Sequence, residues 1–385
     1  MKLAIGLVPC WSIRPRSCMT RAALAAALVW PFLLPLAAHA QLGQPKPPAP
    51  PVAKPEPGKA VKPAAEPAAP AVTPKVEKPP VKPPAKPERP KTEDTKEEAP
   101  PEPERMFLDT KDGWKIHCLY YGPKPKVKKG KEVVPVIAIH GWGGQGGEYD
   151  FLARQLQLQG HAVMVPDLRG HGRSTTRRFY TGDMKTIKYT NLTPKDAEAM
   201  VGDLEAVKKF LVQKNNEGEV NIELLALVAA ESGCIVALNW AILDWSWPVP
   251  LGGKQGQDVK AVVLLTPALT YKGQIFNQKL IVNPPISNLL SIMIAVGEKD
   301  KKGLPEATRL HSRLEKLRPL SKDPEEAKRK KDLFIAKPDT NLAGTQLLVP
   351  QLPVHTWIAG FLHIRLVLQR DNFPWAERRS VLGVN

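Results

Sequence analysis

Two short segments of this sequence bring together residues that could do chemistry. Residues 139–144 (Ile-His-Gly-Trp-Gly-Gly) end a short apolar run, and glycines at such a turn allow backbone N–H groups to face a ligand. Glu231 and Ser232 are adjacent, directly after a second apolar run. A serine that is activated by a histidine can attack an ester or amide carbonyl, and a carboxylate can also act as a nucleophile. These segments are therefore the first candidates for a functional site.

A second glycine turn follows the first by about twenty residues, in Ala162–Ser174 (Ala-Val-Met-Val-Pro-Asp-Leu-Arg-Gly-His-Gly-Arg-Ser). Short apolar runs with β-branched residues, ended by glycines, indicate central strands of a parallel sheet. Together the two units resemble the α/β-hydrolase family, in which a turn of HGxGG type supplies part of an oxyanion hole. The resemblance implies that the oxyanion- or substrate-binding residues are Gly141, Trp142, Gly143 and Gly233.

In this family the nucleophile lies on a sharp turn between a strand and a helix, with a small residue two positions before it and another two positions after it. If Ser232 holds that position, the small residues are Ala230 and Cys234, and the segment resembles the elbow of carboxylesterases. If Glu231 holds it, both flanking positions move back by one, and Gly233 fits the crowded turn better than Cys234 does. Both alternatives remain open, although the second fits the following helix better.

The resemblance implies an acid and a histidine further along the chain. Asp300 follows an apolar run, Ile292–Val296, and matches the acid of the family. The family often has a histidine before its last helix, but this chain has Ala343 at that position. His355 is then the provisional general base. A serine without an imidazole base loses several orders of magnitude in rate.

The elements that must position these residues alternate between strand and helix from residue 106 to residue 385. This alternation predicts one α/β domain with a mostly parallel, doubly wound sheet and flanking helices, after an N-terminal hairpin. The pattern predicts one long helix over Pro194–Lys214 and a final helix over Val354–Gln369. Only Leu269–Asn288 lies where the α/β hydrolases usually place a lid, so we expect a small lid.

The first 105 residues have a different composition. Residues 1–40 combine a basic start, an apolar run and an Ala-His-Ala site. This combination favours a cleaved signal peptide over the alternative, an uncleaved membrane anchor. Residues 41–105 hold 20 of the 41 prolines, between lysines and glutamates, and predict a disordered linker. We therefore expect an exported protein, periplasmic or secreted, that is not transmembrane after removal of the signal and whose linker could contact the cell envelope.

Charge and cysteine content restrict the partners further. The formal net charge of +17 includes +11 from residues 106–385, but the lysines are scattered and no nucleic-acid motif accompanies them. Only Cys118 and Cys234 remain after the signal, and we expect both to be buried free thiols. No metal-ligand spacing is present, so we expect neither a metal nor another cofactor.

Two functions remain possible at this point. The first is an exported serine hydrolase of the esterase, lipase or peptidase type, with Ser232 as nucleophile, Asp300 as acid and His355 as base, acting on an unknown small-molecule or peptide substrate. The second is a pseudoenzyme, in which Glu231 holds the nucleophile position and the former active site binds a ligand or an envelope partner. Glu231 in front of an oxyanion hole would disfavour an oxyanion intermediate.

Overall fold

A computed structural model describes residues 100–378, with gaps at 126, 129, 250–252, 269, 272–273 and 276–277. The predicted signal peptide and nearly all of the predicted linker lie outside the described residues. The strands are β1 Glu104–Asp109, β2 Lys115–Tyr121, β3 Pro135–Ile139, β4 Ala162–Pro166, β5 Thr176–Arg178, β6 Met184–Thr186, β7 Leu225–Ala230, β8 Val259–Leu265, β9 Thr270–Tyr271, β10 Gln274–Ile275, β11 Ser291–Ala295 and β12 Leu333–Ala336. The α-helices are α1 Asp150–Leu158, α2 Pro194–Glu198, α3 Val201–Asn216, α4 Gly233–Ser246, α5 Gln278–Ile281, α6 Gly303–Leu317, α7 Pro324–Lys330 and α8 Val354–Leu362.

Eight of these strands form one sheet in the order β1-β2-β4-β3-β7-β8-β11-β12. The first two strands pair antiparallel, β2 pairs antiparallel with β4, and the other neighbours are parallel. The mostly parallel sheet of the sequence prediction is confirmed. In a parallel sheet the carboxyl ends of the strands lie along one edge, so the turns after β3, β4, β7, β8 and β11 meet there.

Side chains of the central strands are buried on both faces of the sheet. In β3, Ile137 and Ile139 pack into one hydrophobic cluster with α3, α4 and α6, whereas Val136 and Ala138 pack into a second cluster with α1 and α8. Alternate residues of a strand point to opposite faces, so both faces must be covered by helices. The short apolar runs in the sequence have this physical origin.

Several element boundaries differ from the prediction. The long helix predicted over Pro194–Lys214 is divided into α2 and α3. Thr193 caps the start of α2, where its hydroxyl accepts a hydrogen bond from the Asp196 backbone N–H. The final helix is regular only to Leu362 and continues as a π-helical turn over His363–Val367. The β5–β6 hairpin was not predicted, because its residues are largely polar and exposed.

Both remaining cysteines, Cys118 and Cys234, are free and buried, as predicted. Within the described residues, no helix has the length and apolar character that crossing a membrane requires. The small lid region contains the short β9–β10 hairpin and α5, among residues that are partly outside the description.

Candidate functional site

The turn between β7 and α4 has its strained residue at Glu231. Glu231 has a φ of +50°, in the left-handed region that side-chain-bearing residues rarely adopt. Its N–H donates to the Leu265 carbonyl at 2.9 Å, and its carbonyl oxygen accepts from the backbone N–H of Ala268 at 3.2 Å. These contacts with the end of β8 hold the turn. A strained residue between a strand and a helix is the geometry of a nucleophile elbow, and here its apex is Glu231.

Gly233 lies where α4 approaches β3 most closely. A Cβ atom on Gly233 would lie 2.4 Å from the carbonyl oxygen of His140, so the turn has no room for a side chain there. Gly141 is similarly restricted, because a Cβ on it would lie 2.7 Å from a carboxylate oxygen of Glu231. The crowding that the sequence predicted for Gly233 is therefore present. Gly233 lies two residues after Glu231, which is the flanking position of a turn centred on Glu231.

Ser232 is the residue immediately before α4 and is nearly buried. Its hydroxyl oxygen accepts a hydrogen bond of 2.8 Å from the backbone N–H of Trp142. Ser232 and Trp142 also line a cavity of about 10 Å³, together with His171. A cavity of this size holds about one water molecule, so the space that Ser232 shares with Trp142 and His171 is too small for an ester or a peptide.

The aromatic rings beside this cavity come from the two glycine turns. Trp142 contacts His171 edge-on, with ring centroids 5.0 Å apart, and His171 stacks on Tyr189 at 4.9 Å. The Nδ1 atom of His171 lies 2.9 Å from the Arg169 carbonyl oxygen. Burial, followed by the neighbouring His140, lowers the pKa of His171 to about 4. The ring is therefore neutral at physiological pH and a weak base.

The first glycine turn is fixed by its own polar contacts. The Nε2 atom of His140 accepts a hydrogen bond from the Leu168 N–H, and its Nδ1 lies 2.7 Å from the Gly141 carbonyl oxygen. Gly143 has a φ of +80°, which favours glycine, and lies against the Tyr189 ring. His140 therefore braces the turn that carries Trp142.

Asp300 caps the start of α6. One carboxylate oxygen accepts hydrogen bonds from the backbone N–H groups of Lys302 and Gly303, at 3.0 and 2.9 Å. The other oxygen, Oδ2, is buried and has no hydrogen-bond partner among the described residues. In a complete triad, a histidine N–H would donate to this acid. Asp300 therefore keeps one buried acceptor that no described residue uses.

The position that matches the histidine of the family does not supply an imidazole to Asp300. Ala343 lies there, just before Gly344, whose N–H donates to the Thr266 hydroxyl at 3.0 Å. His355 lies in α8, where its Nδ1 is 3.0 Å from the Leu352 carbonyl oxygen and its ring packs edge-on against Phe151 of α1. The structure thus brings together Glu231, Ser232 and Asp300, and places His355 in contact with the α1 layer instead.

Two residues that the sequence did not single out belong to this site. Glu148 lies beside Glu231, and its carboxylate accepts hydrogen bonds from the Gln145 N–H at 2.9 Å and the Thr345 hydroxyl at 2.7 Å. Thr266 has a φ of +47° and connects the end of β8 to the Gly344 loop. Thr266 directly follows a central strand, which is the signal that could have identified it. Glu148 has no comparable signal.

Negative charge is concentrated at the elbow. Partial desolvation raises the pKa of Glu231, and the nearby carboxylates of Glu148 and Asp300 raise it further. Within the described part of the chain, nothing donates a hydrogen bond to the Glu231 carboxylate, and no group of three or more His, Cys, Asp or Glu residues is arranged to hold a metal ion. Among the described residues, therefore, no cation is paired with the Glu231 carboxylate.

This sheet order, with an elbow between β7 and α4 and a helical layer on each face, is the α/β-hydrolase fold. The chain belongs to the hydrolase family described as serine aminopeptidase, S33, whose sequence model matches residues 131–344.

Solved structures with similar folds include an esterase from Pyrococcus furiosus, with 13% identity, a TM-score of 0.44 and coverage of 69% of this chain and 91% of that one. A lidless α/β serine hydrolase from Xanthomonas campestris has 15% identity, a TM-score of 0.43 and coverage of 72% and 98%. An esterase from Pyrobaculum calidifontis has 16% identity, a TM-score of 0.44 and coverage of 69% and 86%. A search among curated proteins found no significantly similar sequence. Family membership rests on the sequence match.

Proposed function

We propose that this chain is a pseudoenzyme of its hydrolase family, in which Glu231 binds a positively charged group of a ligand. The observation that carries the proposal is the φ of +50° at Glu231, which makes a carboxylate, rather than a hydroxyl, the apex of the elbow. Strained backbone of this kind costs about 1–3 kcal/mol and is typical of functional sites. The elbow geometry is therefore retained, while the group that it presents differs from that of a serine hydrolase.

The charge distribution supports binding rather than acyl transfer. Glu231 faces the carboxylates of Glu148 and Asp300, so the field at the elbow opposes the negative charge of an oxyanion intermediate. The same field favours a cation, because an ammonium group near several carboxylates is stabilised by each of them. The Trp142 N–H, a candidate oxyanion donor, is engaged by the Ser232 hydroxyl. A ligand with a free amino group fits this arrangement.

A pair of dipeptide amides tests this proposal. We expect alanyl-alanine amide, which carries an amino group and no carboxylate, to raise the melting temperature of the protein, whereas its N-acetylated form should not. Glu231→Gln should remove the effect. Because the pKa of Glu231 is raised, the carboxylate ionises at a higher pH than an ordinary glutamate does, so binding should weaken as the pH falls through that pKa. An equal thermal shift with the acetylated peptide would exclude recognition of the amino group.

A second candidate function is the serine hydrolase activity that its family membership suggests. It would use Ser232, whose hydroxyl shares a cavity with the neutral ring of His171. Intact-mass analysis after treatment with a fluorophosphonate probe separates the two candidates. We expect no labelling of well-folded wild-type protein. Labelling of the wild type that Ser232→Ala abolishes would establish an activated serine and end the pseudoenzyme proposal.

We also propose that the protein is exported and acts in the periplasm or outside the cell. The basic and apolar character of residues 1–40, with Ala38-His39-Ala40 as the cleavage site, supports this proposal. The proline-rich stretch 41–105 would then separate the hydrolase-like domain from the envelope. Protein sequencing of the mature chain should begin at Gln41; an intact N-terminus in the exported protein would favour a retained anchor.

A further inference from the structure

A groove lies at the far edge of the sheet, away from the elbow, between β12 and α8. Its volume is about 530 Å³, which lies within the range of ligand pockets. The walls are mainly apolar and come from Phe334 on the strand and from Trp357, Phe361 and Ile364 on the helix and its continuation. β12 is the last strand of the sheet, and no further strand among residues 100–378 covers this side.

The helical wall of the groove exposes apolar surface. Trp357 is 38% exposed and Ile364 is 51% exposed, although both lie on an element that otherwise packs against the sheet. Gly360 lies between them in sequence and lines the groove, and a Cβ atom added there would meet nothing within 4 Å. The groove is therefore open at Gly360, and a large side chain at this position would fill it. Contiguous exposed apolar surface of this kind is typical of a binding site.

The rim of the groove is basic. Lys337 directly follows β12, lines the groove and is exposed, and the Lys331 ammonium lies 5.4 Å from the centre of the Phe334 ring. Neither lysine forms an ion pair with any residue in the described ranges. The two nearest acids along the chain already have partners, since Asp332 pairs with Arg318 and Asp339 pairs with Lys299. An anionic group at this rim would therefore meet two lysines that no ion pair among the described residues neutralises.

We propose that this groove binds a single-chain amphipathic carboxylate of the fatty-acid class. Its hydrocarbon chain would lie against Phe334, Trp357 and Phe361, and its carboxylate would contact Lys337. Removing the hydrocarbon chain from water supplies the affinity, and the basic rim selects the charge of the head group. This site is independent of Glu231 and of the function proposed for the elbow.

Calorimetric titration of the full chain with sodium decanoate tests this inference. To keep cation binding at the elbow from interfering, the titration uses Glu231→Gln. We expect this variant to bind one decanoate per chain saturably and not to bind decyltrimethylammonium, which has the same chain length and the opposite charge. Gly360→Phe should weaken binding by at least about tenfold, because its ring occupies the groove. Gly360→Ala is the matched control and should bind decanoate like the wild type. Lys337→Gln should weaken binding by about fivefold.

Three results would overturn the proposal. Equal binding of decanoate by Gly360→Phe and Gly360→Ala would place the ligand elsewhere, and equal binding of the cationic probe would exclude selection by the basic rim. Association with anionic lipid vesicles, without saturable binding of decanoate, would identify the exposed face as a membrane contact instead. Circular dichroism of both Gly360 variants establishes that they fold, and Lys337→Gln provides an independent test if Gly360→Phe does not.

Discussion

Combining Glu231→Ser with Ala343→His is expected to create fluorophosphonate labelling and esterase activity, neither of which we expect from the wild type. The first change places a hydroxyl at the apex of the elbow, and the second places an imidazole at the position that matches the family's histidine. The acceptor intended for that imidazole is Oδ2 of Asp300, which is buried and has no hydrogen-bond partner among the described residues. A positioned general base contributes about 10²- to 10⁴-fold in rate, so we expect a gain of that order over either single variant. Hydrolysis of p-nitrophenyl acetate measures the esterase activity, and intact-mass analysis measures the fluorophosphonate labelling.

The controls for this restoration identify the residue that reacts. Glu231→Ala with Ala343→His has no hydroxyl at the apex and should remain inactive. Adding Ser232→Ala to the restored variant should preserve or raise the activity, because it releases the Trp142 N–H from the Ser232 hydroxyl. Loss of activity on adding Ser232→Ala would show that Ser232 is the nucleophile, and that the turn centred on Glu231 does not define the reactive position.

Arg169→Ala is expected to lower the free energy of unfolding by about 3–5 kcal/mol, because it leaves a buried carboxylate without its partner. The guanidinium of Arg169 lies 2.6 Å from the Asp203 carboxylate, and the two residues are 1% and 0% exposed. A second guanidinium nitrogen lies 2.7 Å from Asp112 in the hairpin turn. Burial raises the pKa of Asp203 even though Arg169 opposes this effect. Urea denaturation, monitored by tryptophan fluorescence, measures the change.

Two variants make this second prediction specific. Arg173→Ala is the matched control, because the Arg173 side chain is exposed and only its backbone N–H bonds to Asp167. The double change Arg169→Met with Asp203→Leu removes both charges and should cost less than Arg169→Ala. If Arg169→Ala unfolds at the same urea concentration as Arg173→Ala, the ion pair does not contribute to stability as its burial implies.

The architecture could be predicted from sequence to a large extent. The apolar runs over Val136–Ile139 and Leu225–Ala230 are uniformly buried, because helices cover both faces of a parallel sheet, and this leaves a pattern that can be recognised locally. The N-terminal hairpin could also be predicted, because its turn residues and its alternating strand are local sequence signals. The division between α2 and α3 was missed, because Ala199 and Met200, which separate the two helices, both favour helical structure and give no local stop signal.

The candidate site could be predicted only in part. Sequence alone determined that Glu231, Ser232 and Asp300 follow central strands, and therefore lie at one edge of the sheet. It left two registers for the elbow, because both place small residues at the crowded positions. The backbone torsion at Glu231, which places a carboxylate at the apex, arises from contacts with the end of β8. The proximity of Glu148, the environment of Ser232 and the contacts of His355 likewise depend on residues distant in sequence, so only the tertiary structure decided them.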